Sequence, residues 1–263
     1  MTENILEKII KKKKHKVSEL KKLFDINLLN NTIRENNTYI NFKEKIQHRH
    51  EKKKYSIIAE IKKASPSAGI LIENYDPVKI ANIYKKNNAT CLSVLTEEDF
   101  FLGDLLHINK IKKEIDLPVL CKDFFVDKFQ IPLAKSYGAD AILIILAGVS
   151  DYVANELYDE ALKYKMSVIV EVHTVEEANK ALKFKDALIG INNRNLKTLE
   201  TDINTTFAIH SVLSNHSCPL ISESGFKSKH ELISLSEKTS IRTFLIGESL
   251  LKNLDNNSIF SVL

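Results

Sequence analysis

Eight short apolar runs, each nearly continuous rather than alternating, constrain this chain more than any other feature. They are Ile57–Ile61, Cys91–Leu95, Val119–Cys121, Ala141–Leu146, Val168–Val172, Ala187–Ile191, Leu220–Ser222 and Phe244–Ile246. Continuous Val, Ile, Leu and Ala over so few residues is the pattern of strands buried on both faces. Amphipathic segments lie between them, such as Pro77–Asn87, Phe129–Tyr137, Tyr152–Tyr164 and Val175–Phe184. Pro118 and Pro219 stand just before two of the runs, where a missing N–H is tolerated. Strand–helix alternation implies parallel strands joined by crossover helices. Eight such units fit an α/β fold of the (β/α)8 barrel type, with an open doubly wound sheet as the alternative. No Gly-x-Gly-x-x-Gly follows the first run, which argues against a dinucleotide site.

Residues 1–54 precede the first strand and read as a helical extension packed on a catalytic barrel of residues 55–263. Two helical patterns, Ile5–Phe24 and Tyr39–Lys54, flank an Asn-rich stretch at Asn27–Asn37. The run Lys11–Lys14 beside Ile5, Ile9, Ile10 and Leu20 reads as the solvated face of an amphipathic helix rather than a nucleic-acid contact. The net charge of +4 over 263 residues is too slight to argue for a nucleic-acid partner. Three cysteines, Cys91, Cys121 and Cys218, have no Cys-x-x-Cys spacing and cannot all pair, so a reducing, cytoplasmic location is expected. No run approaches the ~18 apolar residues of a membrane helix, and Met1–Lys14 lacks a signal-peptide core.

In a barrel of this kind the site lies at the C-terminal ends of the strands. Charged and amide groups recur there: Glu60 and Lys62, Lys122, Glu171, Asn192 and Arg194, Glu223, and Glu248. Glu60 and Lys62 are two apart on extended chain and share a face, as do Asn192 and Arg194. Lys122 ends a short strand, so its ammonium belongs at the pocket floor. Burial would lower its pKa unless Glu60 or Glu171 holds it charged. Glu171 faces the pocket in one pleat parity and the helices in the other. Of seven glycines, Gly69, Gly103, Gly148, Gly225 and Gly247 follow strands. Gly225 and Gly247, after strands seven and eight, let backbone amides approach a phosphate, with Ser65 and Ser249 as added hydroxyl donors. His48, His50 and His173 form no metal cluster, and no metal is expected. His173 reads as alone.

The stretches IIAEIKKASPSAG (57–69), LSVLTEEDFFLG (92–103), PVLCKDFFV (118–126), GINNRNL (190–196), ISESG (221–225) and FLIGESL (244–250) together resemble the indole-3-glycerol phosphate synthase family along essentially the whole chain. The resemblance implies a (β/α)8 enzyme of tryptophan biosynthesis that needs no cofactor. Its small phosphorylated substrate would be 1-(2-carboxyphenylamino)-1-deoxyribulose 5-phosphate, converted to indole-3-glycerol phosphate with loss of CO2 and water. By the same resemblance Lys122 is the general acid of ring closure, Glu171 the dehydration acid, Glu60 the base, and Lys62 a carboxylate-side assistant; the last proton could come from Lys62 or Glu171. Asn192, Arg194, Glu223, Phe124 and Phe100 would line the substrate pocket. Ser65, Ser224, Gly225, Gly247 and Glu248 would hold the phosphate.

Three positions depart from the family pattern: Cys121 where Arg is common, Asn195 where Asp is frequent, and Leu102-Gly103-Asp104 where Gln-Gly-Ser is usual. The resemblance further implies a monomer or weak oligomer, with other tryptophan-pathway enzymes as candidate partners and no fused phosphoribosylanthranilate isomerase. Two rival readings are a Schiff-base aldolase using Lys122 as nucleophile and a basic-tailed scaffold that has lost catalysis.

Overall fold

The computed structural model describes residues 4–36, 39–254 and 258–263. Eight parallel strands close into a barrel: β1 (Ser56–Ile61), β2 (Cys91–Leu95), β3 (Val119–Lys122), β4 (Ala141–Ile145), β5 (Ser167–Val172), β6 (Leu188–Asn192), β7 (Leu220–Glu223) and β8 (Thr243–Ile246). Each strand pairs with its sequence neighbours, and β8 returns to β1 with Ile58 opposite Leu245. The closed order rules out the open-sheet alternative.

Pleat parity divides the side chains. Ile57, Ala59, Val168, Val170, Val172, Ile189 and Ile191 point outward into a core shared with the surrounding helices. Ile58, Leu120, Ile169 and Ile221 fill the barrel interior. All four come from odd-numbered strands and form one layer, as expected where alternate strands contribute alternate layers. Two residues further along the same face stand Glu60, Lys122, Glu171 and Glu223. The barrel's aliphatic filling thus ends in a layer of charge.

Three helices precede the barrel: α1 (Ile5–Leu23), α2 (Ile26–Glu35) and α3 (Phe42–Glu51). Asn4 and Glu7 form a reciprocal capping box at the start of α1. The Asn-rich stretch is itself helical, because the Asp25 carboxylate accepts the N–H groups of Asn27 and Leu28 and starts α2. Met1 and Asn37, which end two of the stretches read above, lie outside the described residues. Phe42 and Ile46 of α3 are fully buried against the interior strand residues, each gaining roughly 1.5–3 kcal/mol from that burial. The lysine run is only partly a solvated face. Lys13 is buried, its ammonium 2.6 Å from the Asp123 carboxylate just past β3.

The crossovers include α4 (Pro77–Lys86), α5 (Glu98–Phe101), α6 (Leu105–Glu114), α7 (Gln130–Ser136), α8 (Asp151–Lys163), α9 (Val175–Ala181), α10 (Asn204–Ile209), α11 (Lys229–Thr239) and α12 (Glu248–Lys252). Beyond β1 the chain forms a small hairpin, Ala64–Ser65 against Gly69–Ile70, that the run pattern did not foretell.

Candidate active site

A cavity of about 950 Å³ opens at the C-terminal mouth of the barrel. Glu60, Lys62, Lys122, Phe124, Glu171, Asn192, Arg194, Ser224, Gly225, Gly247 and Glu248 line it, from six separate stretches of chain. Three residues read from the sequence lie elsewhere. Glu223 is buried beneath the floor, 1% exposed, and meets the cavity through Lys122. Ser65 borders a smaller adjoining cavity shared with Ile5, Leu6 and Ile9 of α1. Phe100 turns away and carries the Lys12 ammonium over its ring at 5.1 Å. Phe101 lines the cavity instead, its ring 6.2 Å from that of Phe124. Glu97 sets that rotation by capping α5 with its own carboxylate.

Lys122 Nζ stands 3.2 Å from both Glu171 Oε2 and Glu223 Oε2. Burial works against the ammonium, yet the carboxylates of Glu223, Glu171 and Glu60 outweigh it and raise its pKa. Of the two outcomes open in the sequence, the residue is therefore held charged. The same contacts split the acids. Glu171 is buried, but Lys122 and His173 hold its carboxyl well below the usual range. Glu223 is pushed up to about 7 by burial against the pull of Lys122, with repulsion from Glu171 adding to the rise. Two coupled carboxyls whose environments drive them apart are the usual mark of divided acid and base duties.

A glycine makes room for the deepest acid. A Cβ at Gly190, which pairs with Glu171 across β5 and β6, would sit 2.0 Å from Glu223 Oε1. A Cβ at Gly247 would likewise sit 2.3 Å from Glu60 Oε1. That role differs from the phosphate approach for which Gly247 was singled out.

At the rim, Lys62 Nζ lies 2.5 Å from Glu60 Oε1. Arg194 donates to the Leu199 carbonyl at 2.9 Å and to Ser67 Oγ at 3.2 Å, while Asn192 Oδ1 accepts the Arg194 N–H. Ser224 and Gly225 both have positive φ, 69° and 92°, so the chain turns sharply after β7. The Glu248 carboxylate pairs with Lys252 at 2.6 Å and Arg194 at 3.8 Å, leaving its backbone as the part suited to an anion. Ser249 Oγ donates to the Phe226 carbonyl at 2.6 Å. Among the described residues, no group of His, Cys, Asp and Glu is arranged to hold a metal ion.

His173 is not alone. Its Nε2 lies 3.2 Å from Glu171 Oε1 and its Nδ1 3.2 Å from Glu177 Oε2. The signal was present in the spacing: His173 follows Glu171 by two residues on extended chain, and Glu177 lies in the first turn of α9.

An ammonium ringed by desolvated carboxylates, beneath loops rich in backbone turns at a barrel mouth, defines an acid–base enzyme of the (β/α)8 class. The family model described as "Indole-3-glycerol phosphate synthase" matches residues 6–262. A protein of that name from Azospirillum brasilense is 46% identical over 77% of this chain and 76% of its own length. Another from Zymomonas mobilis subsp. pomaceae is 35% identical over 96% of this chain and 95% of its own. The tryptophan biosynthesis protein TrpCF of Buchnera aphidicola subsp. Schizaphis graminum is 39% identical over 98% of this chain but only 55% of that longer protein. Solved structures share the fold at low identity, among them a 3-hexulose-6-phosphate synthase (TM-score 0.59, 11% identity, 79% of this chain and 99% of that one). The chain belongs to the indole-3-glycerol phosphate synthase family, carboxy-lyases of tryptophan biosynthesis.

Proposed function

We propose that the buried quartet, with Lys62 at its edge, carries the family reaction on 1-(2-carboxyphenylamino)-1-deoxyribulose 5-phosphate in this chain. The observation that carries this reading is the Lys122 ammonium, held charged by Glu171 and Glu223 at the floor of an open cavity. Attack of the aromatic carbon on the ketone turns its oxygen into an alkoxide. That oxygen is far more basic than an amine, so an ammonium with a raised pKa still gives up its proton to it. Loss of CO2 then restores the aromatic ring. Glu171 protonates the departing hydroxyl while Glu60 accepts a substrate proton, and Lys62 faces the substrate carboxylate. Phe124 and Phe101 provide apolar walls for the anthranilate ring, and folding the flexible substrate between them brings its ends together. The phosphate is assigned to the mouth formed by Ser224, Gly225, Gly247 and the backbone at Glu248, with Arg194 as the nearby cation.

We place the enzyme in the cytoplasm. Three buried free cysteines support a reducing compartment, and among the described residues no helix is long and apolar enough to cross a membrane. Association with other tryptophan-pathway enzymes is supported by the TrpCF relatives, which match this chain over part of their length. The extension of residues 1–54 is read as part of the catalytic unit, since Ile5, Leu6 and Ile9 border the small cavity beside Ser65.

The test is incubation of purified protein with the substrate, following indole fluorescence; the chain has no tryptophan, so the background is low. Indole formation that vanishes in Glu171→Gln, with substrate still bound, is the expected result. Wild-type kinetics in that variant would remove Glu171 from the mechanism.

A further inference from the structure

The proposed reaction leaves one proton unaccounted for. Glu171 is ionised in the resting site, yet as dehydration acid it must carry a proton by the second half of the reaction. Lys122, 3.2 Å from its Oε2, has by then given its own proton to the substrate oxygen. The other oxygen, Oε1, has a separate neighbour, His173 Nε2, in an ion-pair contact of 3.2 Å. That contact falls short of hydrogen-bond alignment in the resting site and must swing into line before a proton crosses.

His173 is built to be a cation. Its side chain is only 10% exposed, it lies between two carboxylates, and Glu177 fixes it from behind. Glu177 Oε2 accepts the His173 backbone N–H at 2.7 Å and lies 3.2 Å from Nδ1. Glu177 is held in turn, its N–H bonded to Thr174 Oγ1 at the start of α9. Burial opposes the charged imidazole, but Glu171 and Glu177 prevail and raise its pKa to about 9. At neutral pH it carries the extra proton.

Resting on the reading of Glu171 as dehydration acid, we infer that the Glu177–His173 pair is the proton supply behind Glu171, a positioning and recharging arm that never touches substrate. Once Lys122 has lost its proton, the ammonium that held the Glu171 carboxyl low is gone. As the hydroxyl leaves, the proton on His173 Nε2 moves to Glu171 Oε1, leaving a neutral imidazole whose Nδ1–H remains on Glu177. Glu171 then delivers that proton to the leaving hydroxyl, which departs as water. Over the cycle Lys122 and His173 each release one proton, Glu60 takes one, and one enters from solvent. That single net proton replaces the carboxylate lost as CO2, so the account balances.

The experiment separates the two halves of the reaction in a single turnover, measuring CO2 release and indole formation on wild-type enzyme and three variants. His173→Gln keeps a neutral donor beside Glu171 but has no proton to give. It should release CO2 at close to the wild-type rate while indole forms at least about tenfold more slowly, with the substrate concentration that half-saturates the single-turnover rate within about twofold of wild type. Glu177→Gln, which keeps the side-chain length and removes the charge, should show the same split in milder form. Unchanged indole formation in both variants, with Glu171→Gln still slow, would overturn the relay and leave the reading of Glu171 intact. Equal loss of CO2 and indole in His173→Gln would assign the residue to structure and also overturn the relay. An unimpaired Glu171→Gln would instead bring down the reading beneath it.

Discussion

Buried charge is found at both ends of the barrel, and the two ends treat it differently. At the N-terminal end, Asp140 just before β4 is fully buried against Lys112 of α6 at 2.7 Å. Its Oδ1 accepts the Ile40 N–H and its Oδ2 the Val119 N–H, each at 2.8 Å. Burial still pushes that carboxyl upward, but both oxygens have donors. At the C-terminal end, one Lys122 ammonium faces Glu60, Glu171 and Glu223, and Glu223 Oε1 has no hydrogen-bond partner among the described residues. A desolvated charge with all its partners ties the extension to the barrel. One left short of partners keeps its proton free to move.

Breaking the ammonium at the mouth should have the largest effect. Lys122→Met is expected to lower kcat by about 10²–10⁴-fold, with substrate affinity within about tenfold. Steady-state kinetics on the folded variant decide it, and wild-type-like turnover would refute the acid assignment. The matching change at the other end, Asp140→Ala, strands Lys112 without its partner and should cost about 3–5 kcal/mol in urea unfolding. The folded fraction should keep its kcat; a specific loss of activity would mean that the two ends are coupled.

Gly190→Ala sharpens the contrast by touching only geometry. Its new methyl must displace the Glu223 carboxylate, so kcat should fall about 10–100-fold from a small misplacement beneath Lys122. Unaltered kinetics would show that Glu223 can move without consequence. The smallest effect is one of pH. Glu223 titrates near 4.5 when unfolded and about 7 when folded, so between those values the folded chain binds more protons and loses stability as pH rises. Glu223→Gln removes that contribution, and its melting temperature should decline less between pH 4.5 and 7 than that of the wild type. An unchanged slope would mean that Glu223 is not the group responsible.

The strands were legible because burial on both faces leaves its mark in every residue; Cys91–Leu95 matches its observed bounds and the others differ by a residue at one or both ends. The charged layer was legible for a related reason, since a Glu or Lys ending an aliphatic run has few places to go. What stayed hidden depends on contacts between distant segments. Lys13 looks like any surface lysine until Asp123 meets it, and His173 looks solitary until the start of α9 brings Glu177 back. Phe100 and Phe101 differ by one helical step that only the Glu97 cap determines. The Asn-rich stretch misled because its composition suggests a loop while one Asp25 cap is enough to start a helix.

The alternation that stacks Ile58, Leu120, Ile169 and Ile221 beneath the reacting groups carries a cost for evolution. Inserting or deleting one residue within any of these strands would trade a group in the substrate chamber for an aliphatic side chain meant for the outer helices. Drift in these four segments is therefore confined to substitution: the length of each strand is as much a part of the enzyme's chemistry as the acid or amine at its tip.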